Sequence, residues 1–317
     1  MLTPATLPLL VRHLDAVDEA LSQRTAWQWK EEALTELLCD LLNETRQPAY
    51  HLTYPFQALQ ADLAAAAPLV DARIRIESHQ YDKNVESRLT QSDVGLVIEA
   101  IDTIAPGRST TTAVLLQAKR ANPNPRTGDH DTTSVFAGYS SRQEERIQRL
   151  RSLLGVDAVQ HLLYCPRGGN LASVDGQVLA HLRTAGVARG IHDYTLGQAK
   201  LEELRNNPNA FDAGLFVAQD LVATTTLRDL HATAFAGATP LAWYIAQALS
   251  NHPHHDDEPR LPSTLDALLL GLVRGERAAV EAVRSSLELE PRNYTFAPSH
   301  TITITLTAGV ELQQRSG

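Results

Sequence analysis

Three β-rich runs lie between residues 72 and 120, and they restrict the possible folds more than any other feature of the chain. The first, "ARIRIESHQ", alternates apolar and polar residues, while "SDVGLVIEAID" and "TTTAVLLQAKR" are rich in aliphatic and β-branched residues. The segment between the last two, "TIAPGRST", contains a Pro-Gly pair that is typical of a turn. The pattern therefore predicts three strands, of which the second and third form a hairpin.

Helical patterns surround these strands. Residues 24–44 predict one amphipathic helix, with Glu32 in solvent and Glu31 at the edge of the apolar face, where a carboxylate needs a partner. The apolar face consists of Ala26, Ala33, Leu34, Leu37, Leu38, Leu41 and Leu42. A charged helix is predicted at about 140–154, followed by a short buried strand, "HLLYCP", at 161–166. This order predicts an α/β fold with a central mixed β-sheet flanked by helices.

The same pass along the chain predicts three parts. An N-terminal helical segment is predicted for residues 1–23 and the α/β domain for residues 24–225. Residues 226–317 are predicted to form a C-terminal α+β extension, a helical region that ends in the strand "TITITLT". That strand could extend the sheet, or it could form an edge for a homodimer or a partner protein. The polar, proline-containing segment 251–263 is the best candidate for a boundary within this extension.

Charge and cysteine content limit the class of protein. The 317 residues carry a formal net charge of −9, which argues against a protein that coats nucleic acid with its whole surface. A local basic cluster still follows the third β-rich run: Lys119, Arg120, Arg126, Arg142, Arg146, Arg149 and Arg151. Cys39 and Cys165 lie in apolar runs and are predicted to be buried thiols. Without a signal-peptide pattern or an apolar run of about 20 residues, the sequence predicts a cytoplasmic protein that does not enter a membrane.

Polar residues interrupt the second and third runs where the two strands are expected to meet. Asp93 opens the second strand, and Gln117-Ala118-Lys119 closes the third. In a hairpin these ends are adjacent, and Gln117 and Lys119 project to the same side. Mg²⁺ prefers oxygen ligands, and this end of the hairpin offers three: the Asp93 carboxylate, the Gln117 side chain and the Ala118 carbonyl. Glu31, from the preceding helix, is the fourth candidate ligand. Lys119 is then the candidate catalytic group that orients or deprotonates water and stabilises charge on a phosphate.

These residues resemble the PD-(D/E)xK, or restriction-endonuclease-like, nuclease superfamily, in the form that carries Gln-x-Lys. The resemblance covers about residues 25–170. "ESRLTQSDVGLVI" is similar to a phrase that ends in the family's metal-binding aspartate, and "KEEALTELL" is similar to the helix that supplies a further glutamate. Glu31 is matched to that glutamate, with Glu32 as the alternative. The chain departs from the pattern at Gln91-Ser92, before the aspartate, and the neutral Gln117 implies weaker metal binding than a second acid.

The resemblance implies a restriction-endonuclease-like core and a Mg²⁺- or Mn²⁺-dependent nuclease that cleaves DNA, as a component of a bacterial restriction or anti-phage system. Arg120, Arg126 and Gln148 are the candidate nucleic-acid-binding residues. A homo-oligomer, or a partner protein encoded in the same defence system, is a further expectation. Two alternatives stay open: a nuclease-fold subunit with little or no activity, which assembles or senses nucleic acid, and an RNA-cleaving enzyme.

Overall fold

The computed structural model of this chain describes most of its length. The described residues are 3, 5–26, 28–78, 92–136, 141–189, 194–206, 211–221, 225–250, 264–287 and 300–309. Side chains within these ranges are placed except at a few positions beside the gaps and inside helices. Most of the family-like phrase before Asp93, at 86–91, and the candidate boundary at 251–263 lie outside the described residues.

In the described ranges, eight strands form one mixed sheet, in the order β1-β8-β2-β3-β5-β6-β7, with the short β4 paired to β3. The strands are β1 (Val70–Ser78), β2 (Val94–Asp102), β3 (Thr110–Asn122), β4 (Val135–Phe136), β5 (Val159–Tyr164), β6 (Leu215–Ala218), β7 (Ala238–Pro240) and β8 (His300–Ala308). β2 and β3 are antiparallel, whereas β3 and β5 are parallel. The predicted hairpin and the predicted central mixed sheet are therefore confirmed.

Helices cover both faces of this sheet. They are α1 (Leu7–Ala26), α2 (Glu31–Leu42), α3 (Phe56–Ala66), α4 (Ser141–Leu154), α5 (Ser173–Arg189), α6 (Tyr194–Asn206), α7 (Leu227–Ala232), α8 (Leu241–Ser250), α9 (Thr264–Val273) and α10 (Arg277–Ser286). One apolar core joins α1, α2, α3 and α8 to the face that carries Leu96 and Leu116. A second joins α4, α9 and α10 to the face that carries Val97 and Leu115. Successive side chains of β2 and β3 point alternately into these two cores, so both faces of each strand are buried and apolar.

Interruptions occur in the helix predicted over 24–44 and in the helical region predicted after residue 226. The helix predicted over 24–44 is instead the end of α1 and the whole of α2, because the chain turns between Ala26 and Glu31 and Gln28 has a φ of 62°. The run at 227–250 contains β7 between α7 and α8, with Phe235 at a φ of 62°. An α-helix does not tolerate a positive φ, so each of these residues ends the helical stretch.

The C-terminal strand has an unexpected position. β8 lies between β1 and β2, antiparallel to β1 and parallel to β2, over nine residue pairs on each side. It is therefore an interior strand of the described sheet, and the alternative in which it provides an edge for a partner is wrong. β7 also belongs to this sheet, so the boundary predicted at residue 226 does not divide it.

A buried histidine outside the predicted site makes stability depend on pH. His231 on α7 is fully buried, with Nδ1 3.4 Å from Nη1 of Arg183 and the ring against Phe216. Burial, and then the charge of Arg183, hold the pKa of His231 well below 6.5. The unfolded chain takes up this proton near pH 6.5 while the folded protein does not, so the free energy of unfolding decreases as pH falls below about 6.5.

We expect His231→Phe to weaken the decrease in the free energy of unfolding between about pH 6.5 and 4.5, because phenylalanine fills the space without a titratable group. Urea denaturation at several pH values measures this dependence. Arg183 keeps its ion pair with Asp212 (3.0 Å) in the variant. The matched control is His51→Gln at an exposed position. Parallel pH profiles for wild type and His231→Phe would contradict the prediction.

Candidate active site at the paired ends of β2 and β3

The hairpin places Asp93 next to Gln117. Val94 is paired with Leu116, and the Asp93 N–H donates to the Leu116 carbonyl at 2.9 Å, so Asp93 continues the ladder opposite Gln117. Leu116 and Ala118 point into the core under α1 and α2. Because side chains alternate along a strand, Gln117 and Lys119 project from the opposite face, where both are almost completely buried.

Asp93 is held by two hydrogen bonds to the same oxygen. The Gln117 Nε2 donates to Asp93 Oδ2 at 2.5 Å, and the Ala118 backbone N–H donates to it at 2.7 Å. The Gln117 Nε2 also lies 3.3 Å from the Ala118 carbonyl oxygen, which accepts from it. The carboxylate, the amide and the carbonyl that were predicted as metal ligands therefore lie within one hydrogen-bonded unit.

Glu31 contacts β3 at Arg120, two residues beyond this unit. It is the first residue of α2, and its Oε1 accepts a hydrogen bond from the backbone N–H of Arg120 at 3.1 Å. Burial raises the pKa of Glu31, and the nearby positive charge of Lys119 lowers it, with a net increase. Glu32 is exposed. Of the two glutamates that the sequence left open, Glu31 is the one at the sheet.

The donor set fits a hard divalent cation. Asp93, Glu31, the side chain of Gln117 and the Ala118 carbonyl all offer oxygen, the ligand atom that Mg²⁺ and Mn²⁺ prefer. A glutamine amide can turn either its nitrogen or its oxygen towards a neighbour, so Gln117 can exchange its hydrogen bond with Asp93 for a metal contact. Among the described residues, no three His, Cys, Asp or Glu side chains cluster in the manner of a metal site. The metal site expected from the sequence therefore stays a prediction.

Sequence reasoning missed His161. β5 pairs in parallel with β3 so that His161 lies beside Gln117, and Asp93, Gln117 and His161 form a row across three strands. His161 is 1% exposed, and burial, followed by the charge of Arg151, lowers the pKa of His161 to about 4. The imidazole is thus neutral at pH 7. Only the strand pairing could have identified this residue, since "HLLYCP" by itself is typical of an ordinary core strand.

The candidate nucleic-acid-binding residues occupy different surroundings. Arg120 follows Lys119 and donates to the Trp29 carbonyl (3.1 Å) and to Asn122 Oδ1 (2.6 Å). Arg126 is exposed in the loop after β3. Gln148 is exposed on α4, where its Nε2 donates to Glu144 Oε1 at 2.6 Å. Arg120 and Arg126 thus lie on the segment that leaves the site, whereas Gln148 is engaged within its own helix.

One member of the basic cluster has a structural role instead. Arg151 is buried and binds the Val159 carbonyl (2.9 Å) and the Asp220 carboxylate (3.0 Å), so it connects α4 to β5 and to the end of β6. The basic cluster predicted after the third strand is therefore not one continuous solvent-facing surface.

No protein-family model matches this chain, and no curated protein and no solved structure matches it significantly. Within the described ranges, every helix is too short or too polar to cross a membrane. A function can therefore be inferred only from the chemistry of the site.

Proposed function

We propose that this protein is a metal-dependent nuclease that hydrolyses phosphodiester bonds in DNA. The observation that carries the proposal is the unit formed by Asp93, Gln117 and Ala118, with Glu31 and the buried Lys119 beside it. The order of α2, the β2–β3 hairpin, α4 and the parallel strand β5 supports a restriction-endonuclease-like core. A place in a bacterial restriction or anti-phage system is part of the same proposal.

The ligands would be Asp93, Glu31, Gln117 and the Ala118 carbonyl. A bound Mg²⁺ or Mn²⁺ supplies charge neutralisation for the phosphate and acidifies a water molecule. The chain contributes preorganisation: two hydrogen bonds orient the Asp93 carboxylate before any ligand arrives. Because Gln117 is neutral and already donates to Asp93, the affinity of this site for metal is lower than that of a site with an acid in place of Gln117.

Lys119 supplies the second part of the chemistry. Its side chain is 5% exposed, and its charge acts on Glu31. A cation shielded from bulk water interacts more strongly with a phosphate than an exposed one does. Lys119 orients the attacking water and stabilises the negative charge that develops on the phosphate oxygens.

The hydrogen bond between Gln117 and Asp93 also favours a second candidate function. A carboxylate that is already satisfied by protein donors gains less from a metal ion, and such a site suits a nuclease-fold subunit with weak or no activity. An RNA-cleaving enzyme would use the same residues, so a cleavage assay has to decide whether DNA or RNA is the substrate.

Removal of metal tests the proposal. We expect the purified protein to nick or linearise supercoiled plasmid DNA with Mg²⁺ or Mn²⁺, and to lose this activity completely in EDTA. Mn²⁺ at about 100 times its Kd should also stabilise the folded protein by roughly 2.7 kcal/mol, as an increase in the thermal unfolding midpoint. Cleavage of RNA alone would reassign the substrate. The absence of both cleavage and stabilisation would overturn the nuclease and favour the inactive subunit. Stabilisation without any cleavage would support the metal site but would exclude hydrolysis by this protein alone.

A further inference from the structure

An exposed tryptophan lies beside the candidate active site. Trp29 is in the connection between α1 and α2, two residues before Glu31, and it is 40% exposed. Tryptophan carries a large aromatic surface that is normally covered in a folded protein. Its exposure leaves part of an aromatic surface open to solvent two residues from the candidate ligand Glu31.

The backbone that presents Trp29 is held on both sides. Gln28 has a φ of 62°, a conformation that is unfavourable for a residue with a side chain. The Gln28 Nε2 donates to the Gly128 carbonyl (3.2 Å), and Arg120 Nη1 donates to the Trp29 carbonyl (3.1 Å). One bond connects this segment to β3 and the other to the loop that follows β3, so the backbone at Trp29 is fixed relative to the site.

One cationic side chain lies over the indole, and two more belong to residues next to its backbone. The Arg24 guanidinium carbon lies 5.8 Å from the centre of the Trp29 ring, Arg120 binds the Trp29 backbone, and the adjacent Lys30 is exposed. We call Arg24, Trp29, Lys30 and Arg120 the Trp29 surface. In a chain with a net charge of −9, one cation at an exposed aromatic ring and two beside its backbone match a ligand that is both anionic and aromatic. A nucleic-acid strand has both properties, whereas an apolar protein partner would not require the cations.

The surface and the candidate site share Arg120. Its backbone N–H binds Glu31, and its guanidinium binds the Trp29 carbonyl. A strand that reaches the candidate ligands therefore passes close to the indole. Bases in a duplex are stacked on their neighbours, and freeing one costs a few kcal/mol, whereas an unpaired base can stack on a protein side chain directly.

We propose that the Trp29 surface binds single-stranded nucleic acid by stacking an unpaired base on the indole. The preferred substrate is then an unpaired segment, such as a single strand, a frayed end or a region that negative supercoiling opens in plasmid DNA. The relation of this surface to cleavage rests on the proposed function, but the binding itself does not. Arg24, Lys30 and Arg120 then contact the backbone of the same strand.

The test is binding in EDTA, where cleavage cannot occur. A fluorescein-labelled oligothymidylate of about 12 nucleotides and a duplex of the same length are titrated with the full-length protein, and anisotropy is measured. We expect the wild type to prefer the single strand. Trp29→Ala should weaken single-strand binding by about 5- to 150-fold and duplex binding by less than about 3-fold, because one stacked base contributes about 1–3 kcal/mol.

Two further variants separate stacking from folding. Trp29→Phe keeps an aromatic face and should retain single-strand affinity to within about 5-fold of wild type. Ile104→Ala removes a 69% exposed apolar side chain at the opposite end of the hairpin and should change nothing. Equal single-strand affinity of wild type and Trp29→Ala would overturn the inference. So would an absence of nucleic-acid binding.

The outcomes also distinguish this inference from the proposed function. If single-strand binding depends on Trp29 but no cleavage is observed with Mg²⁺ or Mn²⁺, the inference holds and the proposed hydrolysis fails. If metal-dependent cleavage is observed while Trp29→Ala binds as the wild type does, the proposed function holds and the inference fails.

Discussion

Asp93→Asn and Lys119→Met are each expected to reduce metal-dependent cleavage by at least about 100-fold, because each removes one charge on which the proposed reaction depends. Asparagine keeps an oxygen that can accept from Gln117 and from the Ala118 N–H, so the local structure survives while the anionic ligand is lost. Methionine preserves most of the volume of the buried Lys119 side chain. Cleavage of supercoiled plasmid with Mn²⁺, quantified as an initial rate, measures the loss.

Folding and charge need separate controls in this experiment. Without Lys119, the pKa of Glu31, which burial already raises, should increase further, and Lys119→Met/Glu31→Gln tests whether that change affects stability. Arg108→Ala removes an exposed cation from the turn at the opposite end of the hairpin and should leave the rate unchanged. If either site variant kept more than about half of the wild-type rate, Asp93 or Lys119 would have to be removed from the proposed mechanism.

The second large effect is expected on stability, at β8. Ile304 is 2% exposed and is paired with Ile74 on β1 and Ile98 on β2, so three isoleucines cross the sheet side by side in one core. Ile304→Ala leaves a cavity between them and should lower the free energy of unfolding by about 2–5 kcal/mol. Because β8 supports β2, whose first residue follows Asp93, cleavage should decrease with the folded fraction. Urea denaturation gives the change in stability.

Thr303→Ala is the matched control for that variant. Thr303 is the adjacent residue of the same strand, but it is half-buried and projects to the other face. Its substitution should cost less than about 1 kcal/mol. Comparable losses at the two positions would indicate that β8 does not contribute to the core in the manner described here.

The sequence alone determined the local parts of this protein. The β2–β3 hairpin, the adjacency of Asp93 and Gln117 and the helix before β5 followed from the alternation of apolar residues, from the Pro-Gly turn and from the short separation along the chain. In an antiparallel hairpin the turn sets the register of the two strands. The sequence pattern was therefore enough to place Asp93 near Gln117, although the two residues are 24 positions apart. Helical periodicity is also a local property, so the sequence could place Glu31 at the edge of the apolar face of its helix.

Only the tertiary structure decided the contacts between distant segments. The position of β8 between β1 and β2, the place of His161 beside Gln117 and the bond between Glu31 and Arg120 join residues that are far apart in sequence. The turn at Gln28 likewise depends on its hydrogen bond to Gly128. Periodicity states which face of a strand or helix is buried but not which segment covers it, because many partners satisfy the same apolar surface and the same backbone hydrogen bonds. The choice among them is made by the packing of the whole chain.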